Sequence, residues 1–166
     1  MSTKVLFCDN WEFSKNPIDT EYSENLSWKR VDLPHDWLIY DTKNLYETST
    51  GWYRKVFEYK KCNECVAIRF EGVYMDSRVY VNGVLAGEWK YGYSTFEFDI
   101  TELLQDGKNV ITVRVDHREP NSRWYSGAGI YRRVWLKTYP DCHLISDGIY
   151  ISADISGQVT VTAEVA

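Results

Sequence analysis

Long hydrophobic runs are missing from this chain of 166 residues. The longest span a few residues, against the ~20 that a membrane-crossing helix requires. The opening Met1-Ser2-Thr3-Lys4-Val5-Leu6-Phe7-Cys8-Asp9 also breaks off too soon for the apolar core of a secretion signal. A cytoplasmic protein with no membrane partner is expected. Cysteine is scarce: Cys8, Cys62, Cys65 and Cys142 are too few and too scattered for a disulfide framework, so free thiols are expected. Basic clusters are missing as well. With 19 Lys and Arg against 24 Asp and Glu, the formal net charge is −5, and no cationic stripe is present to meet a phosphate backbone. Nucleic acid is therefore not expected as a partner.

The familiar chemical motifs are missing too. No Gly-x-Ser-x-Gly elbow, Walker loop or dinucleotide fingerprint occurs, and Gly127-Ala128-Gly129 follows no strand-to-helix pattern, so no cofactor is expected. Cys62-Asn63-Glu64-Cys65 is one C-x-x-C where a closed zinc site takes four ligands, and it reads as a pair of thiols at a hairpin tip; no metal is assigned. His35, His117 and His143 stand in unrelated contexts and read as surface or hydrogen-bonded structural residues. Carboxylates are plentiful, but no spacing singles out an acid and a nucleophile about 5 Å apart, so no catalytic residue is assigned.

What is present argues for a folded chain. A content of 44% hydrophobic and 16% aromatic residues is far from the composition of disorder, and the length suits one domain with a real core plus a fragment of another. From Trp52 to Thr138 the dominant period is two, the pattern of strands that bury one face. Val66, Ile68, Phe70, Val79, Val81, Phe96, Phe98, Ile111, Val113 and Val115 form the predicted inner face. Asn82-Gly83 is a strong hairpin signal, and Asp106-Gly107-Lys108-Asn109 a second turn. Helix is limited to short pieces, the clearest being Glu102-Leu103-Leu104 behind Thr101 as N-cap. Many short strands with regular turns predict an all-β antiparallel sandwich or barrel. The first fifty residues, with Trp11, Phe13, Trp28, Trp37, Tyr40 and Tyr46 set in polar sequence, read as an arm and loops anchored on it. After Tyr139-Pro140 the alternation restarts, with Ile149, Ile151, Ala153 and Ile155, a Gly157-Gln158 turn, then Val159, Val161, Ala163 and Val165. Two strands are not stable alone. They either extend the first domain or begin a second one, and the division preferred is residues 1–140 and 141–166.

The segment Arg118 to Arg133 joins two strands by a connection too long for a tight hairpin and concentrates Arg, Trp and Tyr among flexible glycines. Such loops commonly form ligand or partner surfaces. The alternative is that Trp124 and Tyr131 simply cap the core.

Five motifs in order then carry a resemblance over roughly residues 8–138: Leu33-Pro34-His35-Asp36-Trp37; Gly51-Trp52-Tyr53-Arg54-Lys55-Val56-Phe57; Phe70-Glu71-Gly72-Val73 with Tyr80-Val81-Asn82-Gly83; Phe96-Glu97-Phe98-Asp99-Ile100-Thr101; and Arg123-Trp124-Tyr125 with Gly129-Ile130-Tyr131-Arg132. The chain resembles the N-terminal domain of glycoside hydrolase family 2, which includes β-galactosidases, β-glucuronidases and β-mannosidases. It departs from the usual pattern at Trp89, Tyr91, Ser126 and Arg133.

The resemblance implies a jelly-roll β-sandwich of the galactose-binding type over residues 1–140, with residues 141–166 as the truncated start of an immunoglobulin-like domain. It implies a parent enzyme, a retaining β-glycosidase, β-galactosidase first. There a TIM barrel of ~250 residues holds both catalytic glutamates, so this chain alone is expected to be inactive. By the same analogy Arg123, Trp124, Glu47 and Thr48 are the expected substrate-binding residues. The implied partners are a β-glycoside and the barrel and immunoglobulin-like domains of the parent, with a homo-oligomer open to the unpaired strand edges. A free-standing carbohydrate-binding module and a structural or oligomerisation domain stay open beside this reading.

Overall fold

The computed structural model of the chain describes residues 2–121 and 127–166. Period-two alternation becomes strand after strand: β1 (Thr3–Leu6), β2 (Trp11–Pro17), β3 (Lys29–Val31), β4 (Ser49–Tyr59), β5 (Cys65–Phe70), β6 (Ser77–Val81), β7 (Val84–Trp89), β8 (Phe96–Asp99), β9 (Gly107–His117), β10 (Val134–Tyr139), β11 (Leu144–Ala153) and β12 (Val159–Val165). Ten of them build two antiparallel sheets, one ordered β1-β10-β5-β8 and the other β3-β2-β4-β9-β6-β7. The all-β sandwich is the predicted fold, and its wiring fits a jelly roll.

The core lies between the sheets. Val66, Ile68 and Phe70 of β5 meet Val79 and Val81 of β6 and Ile111, Val113 and Val115 of β9, all buried. Each such side chain contributes about 1.5–3 kcal/mol of burial, and slipping a strand by one residue would turn its whole set to solvent. Phe96 is buried with them. Phe98 alone among the ten predicted residues is half-buried. It comes from an edge strand and lies against Gly87 of the opposite sheet's edge strand, where an added Cβ would sit 2.3 Å from its ring.

Asn82 and Gly83 both have positive φ, 50° and 83°, as a type I′ hairpin between β6 and β7 requires.

Several expectations need correction. The first fifty residues are not only an arm. β2 is the second strand of the six-stranded sheet, and Trp11 and Phe13 belong to the core, because their alternation with Glu12 is a true strand pattern too short to stand out among polar neighbours. Tyr40 and Tyr46 are exposed and anchor nothing in the core. Trp28 is half-buried and lies under Arg54, 4.2 Å from its ring.

The Cys62–Cys65 segment is not a hairpin tip, since β4 and β5 lie in different sheets; it is a crossing between them. All four cysteines are free. Thr101 caps no helix. It begins a single 3-10 turn, Thr101–Leu103, and its hydroxyl accepts from the Val66 N–H and donates to Asp99.

Among the described residues β11 and β12 pair only with each other, across a turn in which Asp154 accepts the N–H groups of Ser156 and Gln158. Glu97 ties this hairpin to the sandwich. Its carboxylate accepts from Lys137 at 2.9 Å, Tyr139 at 2.8 Å and Ser146 at 2.9 Å, while Arg69 bridges Glu97 and Asp147. Burial opposes the charged form of Glu97, but these hydrogen bonds together with the Lys137 charge outweigh it and hold the carboxyl below its usual range.

Among the described residues no helix is long and apolar enough to cross a membrane.

Candidate functional site

The two central strands β4 and β9 run antiparallel over their full length, so the start of β4 at Ser49 lies beside the end of β9 at His117. Whatever precedes Ser49 and follows His117 is therefore delivered to one rim of the sandwich.

Two motifs far apart in sequence are joined near this rim. The His35 N–H donates to the Ile130 carbonyl at 2.8 Å and the Trp37 N–H to the Ala128 carbonyl at 3.0 Å. Between them Asp36 Oδ1 accepts from the N–H groups of Leu38, Ile39 and Ala128. On the other side, Tyr74 and Gly129 exchange both backbone hydrogen bonds. Gly129 has φ of 131°, and a Cβ there would sit 2.5 Å from the His35 carbonyl oxygen and from the Tyr53 hydroxyl. At Gly127, with φ of 79°, it would sit 2.2 Å from Asp36 Oδ2. These glycines are needed less for mobility than for close approach.

The joint is packed on aromatic rings. Trp37 stacks on Phe13, covers Gly51 and donates its indole N–H to Ser49. Burial pushes the Tyr53 phenol well above its usual value, so it stays protonated and lies 2.8 Å from Nδ1 of His35. Burial also lowers the pKa of His35, against the opposing pull of Asp36. The reading of His35 as a hydrogen-bonded structural residue agrees with this.

Glu47 and Thr48 sit at the rim, beside the chain that leaves β9. The Thr48 hydroxyl accepts the Glu119 N–H at 3.0 Å, and the Glu47 carbonyl is 2.6 Å from Nδ1 of His117. His117 is itself buried, with Asn121 at 3.2 Å from its Nε2. The structure thus brings Glu47 and Thr48 against residues 117–121. Arg123 and Trp124, the other two expected substrate-binding residues, lie outside the described residues.

The side chains differ in what they can offer. The Glu47 carboxylate accepts from Lys15 at 2.9 Å and also from Asn44, so it stands at the rim already partly engaged. Thr48 is exposed and keeps a hydroxyl donor for a ligand. Tyr91 and Tyr93, packed edge to face and exposed, lie next to Tyr74, whose hydroxyl is 3.4 Å from Asn121. Aromatic faces beside amide and hydroxyl groups suit a polyol with an apolar ring face.

The acidic residues behind the rim are held by cations. Asp116 is buried, accepting from Arg114 and from the Thr50 hydroxyl, and Asp19 accepts from Arg114 at 2.9 Å and Arg118 at 2.5 Å. Among the described residues no group of three or more His, Cys, Asp or Glu could hold a metal ion.

Sequence reasoning missed Asp36, His117, Glu119 and Asn121 as rim builders. Asp36 had a signal in its place inside the Leu33–Trp37 motif, and Glu119 and Asn121 in theirs inside the Arg118–Arg133 segment; His117 depends on which strand ends meet.

Residues 10–140 match the family described as glycosyl hydrolases family 2, sugar binding domain. The chain is 45% identical over 139 residues to the β-galactosidase BoGH2A of Bacteroides ovatus, an alignment covering 75% of this chain and 16% of that protein. It is 30% identical over 206 residues to a β-glucuronidase of Formosa agariphila, covering 98% of this chain and 21% of that one. The crystal structure of a family 2 member from Bacteroides cellulosilyticus superposes with a TM-score of 0.84 at 32% identity, covering 98% of this chain and 25% of the other. The match of fold and motif order over most of the chain makes it a member of the glycosyl hydrolase family 2 sugar-binding domains. It spans about a fifth of the length of these relatives.

Proposed function

We propose that the chain serves as the N-terminal domain of a retaining β-glycosidase, a β-galactosidase, and lines that enzyme's sugar pocket with Thr48, Glu47, Arg123 and Trp124. In such an enzyme one glutamic acid protonates the leaving oxygen while a second forms the glycosyl-enzyme. Both belong to the barrel expected in the parent, so this chain by itself hydrolyses no glycoside. The observation that carries the reading is the union of the Leu33–Trp37 motif with the Ala128–Ile130 stretch beside the rim where Thr48 holds Glu119.

Galactoside specificity rests on the name of the 45%-identical relative. A β-glucuronidase is the second reading, favoured by the name of a relative that aligns with nearly the whole chain. Residues 141–166 are read as the first hairpin of an immunoglobulin-like domain, because β11 and β12 join neither sandwich sheet and leave Ile149, Ile151 and Val161 exposed. Free cysteines fit a cytoplasmic location.

An arginine can donate through its rigid fork to hydroxyl oxygens, and an indole can cover the apolar face of a pyranose, which is the chemistry proposed for Arg123 and Trp124. Replacing Arg123 by Ala in the full-length parent is expected to lower kcat/KM on an aryl β-galactoside about tenfold or more, with the melting temperature nearly fixed. An unchanged kcat/KM, or a fall that only tracks lost stability, would remove the loop from the sugar pocket.

A further inference from the structure

A groove of about 400 Å³ opens on the outer face of the six-stranded sheet, within the ~300–1,000 Å³ range of small-ligand pockets. Buried Trp52 forms its floor. Tyr22 stands edge-on to the indole at 5.3 Å and 66°, and Tyr80 lies tilted beside it at 6.1 Å and 38°. The polar ends of two of these rings are already satisfied: the Trp52 N–H donates to the Thr20 carbonyl and the Tyr22 hydroxyl to Glu24. What the groove presents is therefore carbon surface, rimmed by the Glu21 and Glu24 carboxylates and the Thr112 hydroxyl.

The charge around it narrows the occupant. No lysine or arginine is among the described residues that line the groove, so nothing there would hold a phosphate or a carboxylate. Its own carboxylates are matched from behind, Glu24 by Arg54 at 2.5 Å and Glu21 by Arg114 at 3.6 Å, which removes the excess negative charge an organic cation would need. Glu21 is nevertheless almost fully exposed, so it can accept hydroxyl protons from a ligand.

We propose that this groove is a binding subsite for a neutral saccharide. A pyranose ring would lay its C–H face on Tyr80 and Tyr22 over Trp52, with its hydroxyls donating to Glu21 and reaching Thr112. A uronic acid would be rejected, since its carboxylate would face Glu21 and Glu24 with no cation of its own. The proposal rests on the reading of the parent as a β-glycosidase but assigns residues that the rim does not use.

The test is a titration of the 166-residue chain with lactose, and separately with glucuronate, following the Trp52 indole N–H by NMR. Lactose is expected to shift that signal saturably and glucuronate to leave it in place. Tyr80→Ala should weaken lactose at least about fivefold, the scale of one lost aromatic contact. Glu21→Gln, on an exposed side chain whose loss leaves the fold intact, should weaken it about threefold or more.

A Trp52 signal indifferent to lactose would overturn the proposal, as would an equal response to glucuronate. A shift that grows with protein concentration and disappears in Tyr80→Ala would show that a second copy fills the groove, and would also overturn it. These readouts are independent of the parent's kinetics, so failure of the Arg123 test and failure of the groove remain separate results.

Discussion

The sandwich and the β11–β12 hairpin are written in the same alternating pattern, and they end in opposite environments. Ile68 and Val113 are 0% exposed, while Ile151 and Val161 are 64% and 61% exposed. Alternation reports that a strand has a face to cover; it does not say what covers it. In the sandwich the cover is the opposite sheet of the same chain. For the hairpin the sandwich contributes an ionic attachment at its base, through Glu97, Arg69 and Lys137, rather than an apolar face.

The sharpest way to break this contrast is a matched pair of truncations. Phe70→Ala should destabilise the chain by about 3–5 kcal/mol, because the cavity it leaves is walled by both sheets. Ile151→Ser should stay within about 0.5 kcal/mol, as surface changes usually do. Urea midpoints at constant slope measure both, and a large cost at Ile151 would mean the hairpin is covered after all.

A smaller effect is expected where the motifs meet. Gly129→Ala forces a Cβ against the His35 carbonyl and Tyr53 hydroxyl at a backbone angle that disfavours side chains, and should cost about 1–3 kcal/mol. It should do so without altering the exposure of β11–β12, which hydrogen exchange reads strand by strand. Equal loss of protection in both regions would show that they unfold as one unit.

The smallest effect concerns the ionic attachment. Since the folded pKa of Glu97 lies below the ordinary value of 4.5, the native state holds fewer protons than the unfolded one between those two values. The stability it contributes is present above about pH 4.5 and is lost as the pH falls through the folded value. Glu97→Gln should remove that part of the acid slope and leave the rest. Acid titration of the melting temperature for the two proteins decides it: parallel curves would mean Glu97 has no special role.

Much of the sandwich was legible in the sequence because burial on one face forces period two, and nine of ten named core residues are buried accordingly. Asn82-Gly83 was legible because so few residues accept positive φ in succession. The errors have physical reasons as well. Trp11-Glu12-Phe13 is a strand too short to beat its polar context, and the Cys62–Cys65 segment was misread because alternation says nothing about which sheet a strand enters.

The rim was legible only in part. Thr48 lies beside the residues that follow β9, a contact no spacing in the sequence announces, and the engagement of Glu47 with Lys15 and Asn44 was not foreseeable either. Nor was the outer groove, which needs the loop carrying Tyr22 to fold across Trp52.

The joint between Asp36 and Ala128 has a consequence for how such domains diversify. The chain leaving β9 is fastened at Glu119 by Thr48 and fastened again at Ala128 by Asp36, Trp37 and Tyr74 through its neighbour Gly129. Both fastenings run through backbone amides, so they are indifferent to the side chains in between. The side chains between Asn121 and Gly127 can therefore change over generations while the sheets below keep theirs; Gly127 itself cannot, since a Cβ there would meet Asp36. Such changes would leave the core with nothing to rebuild.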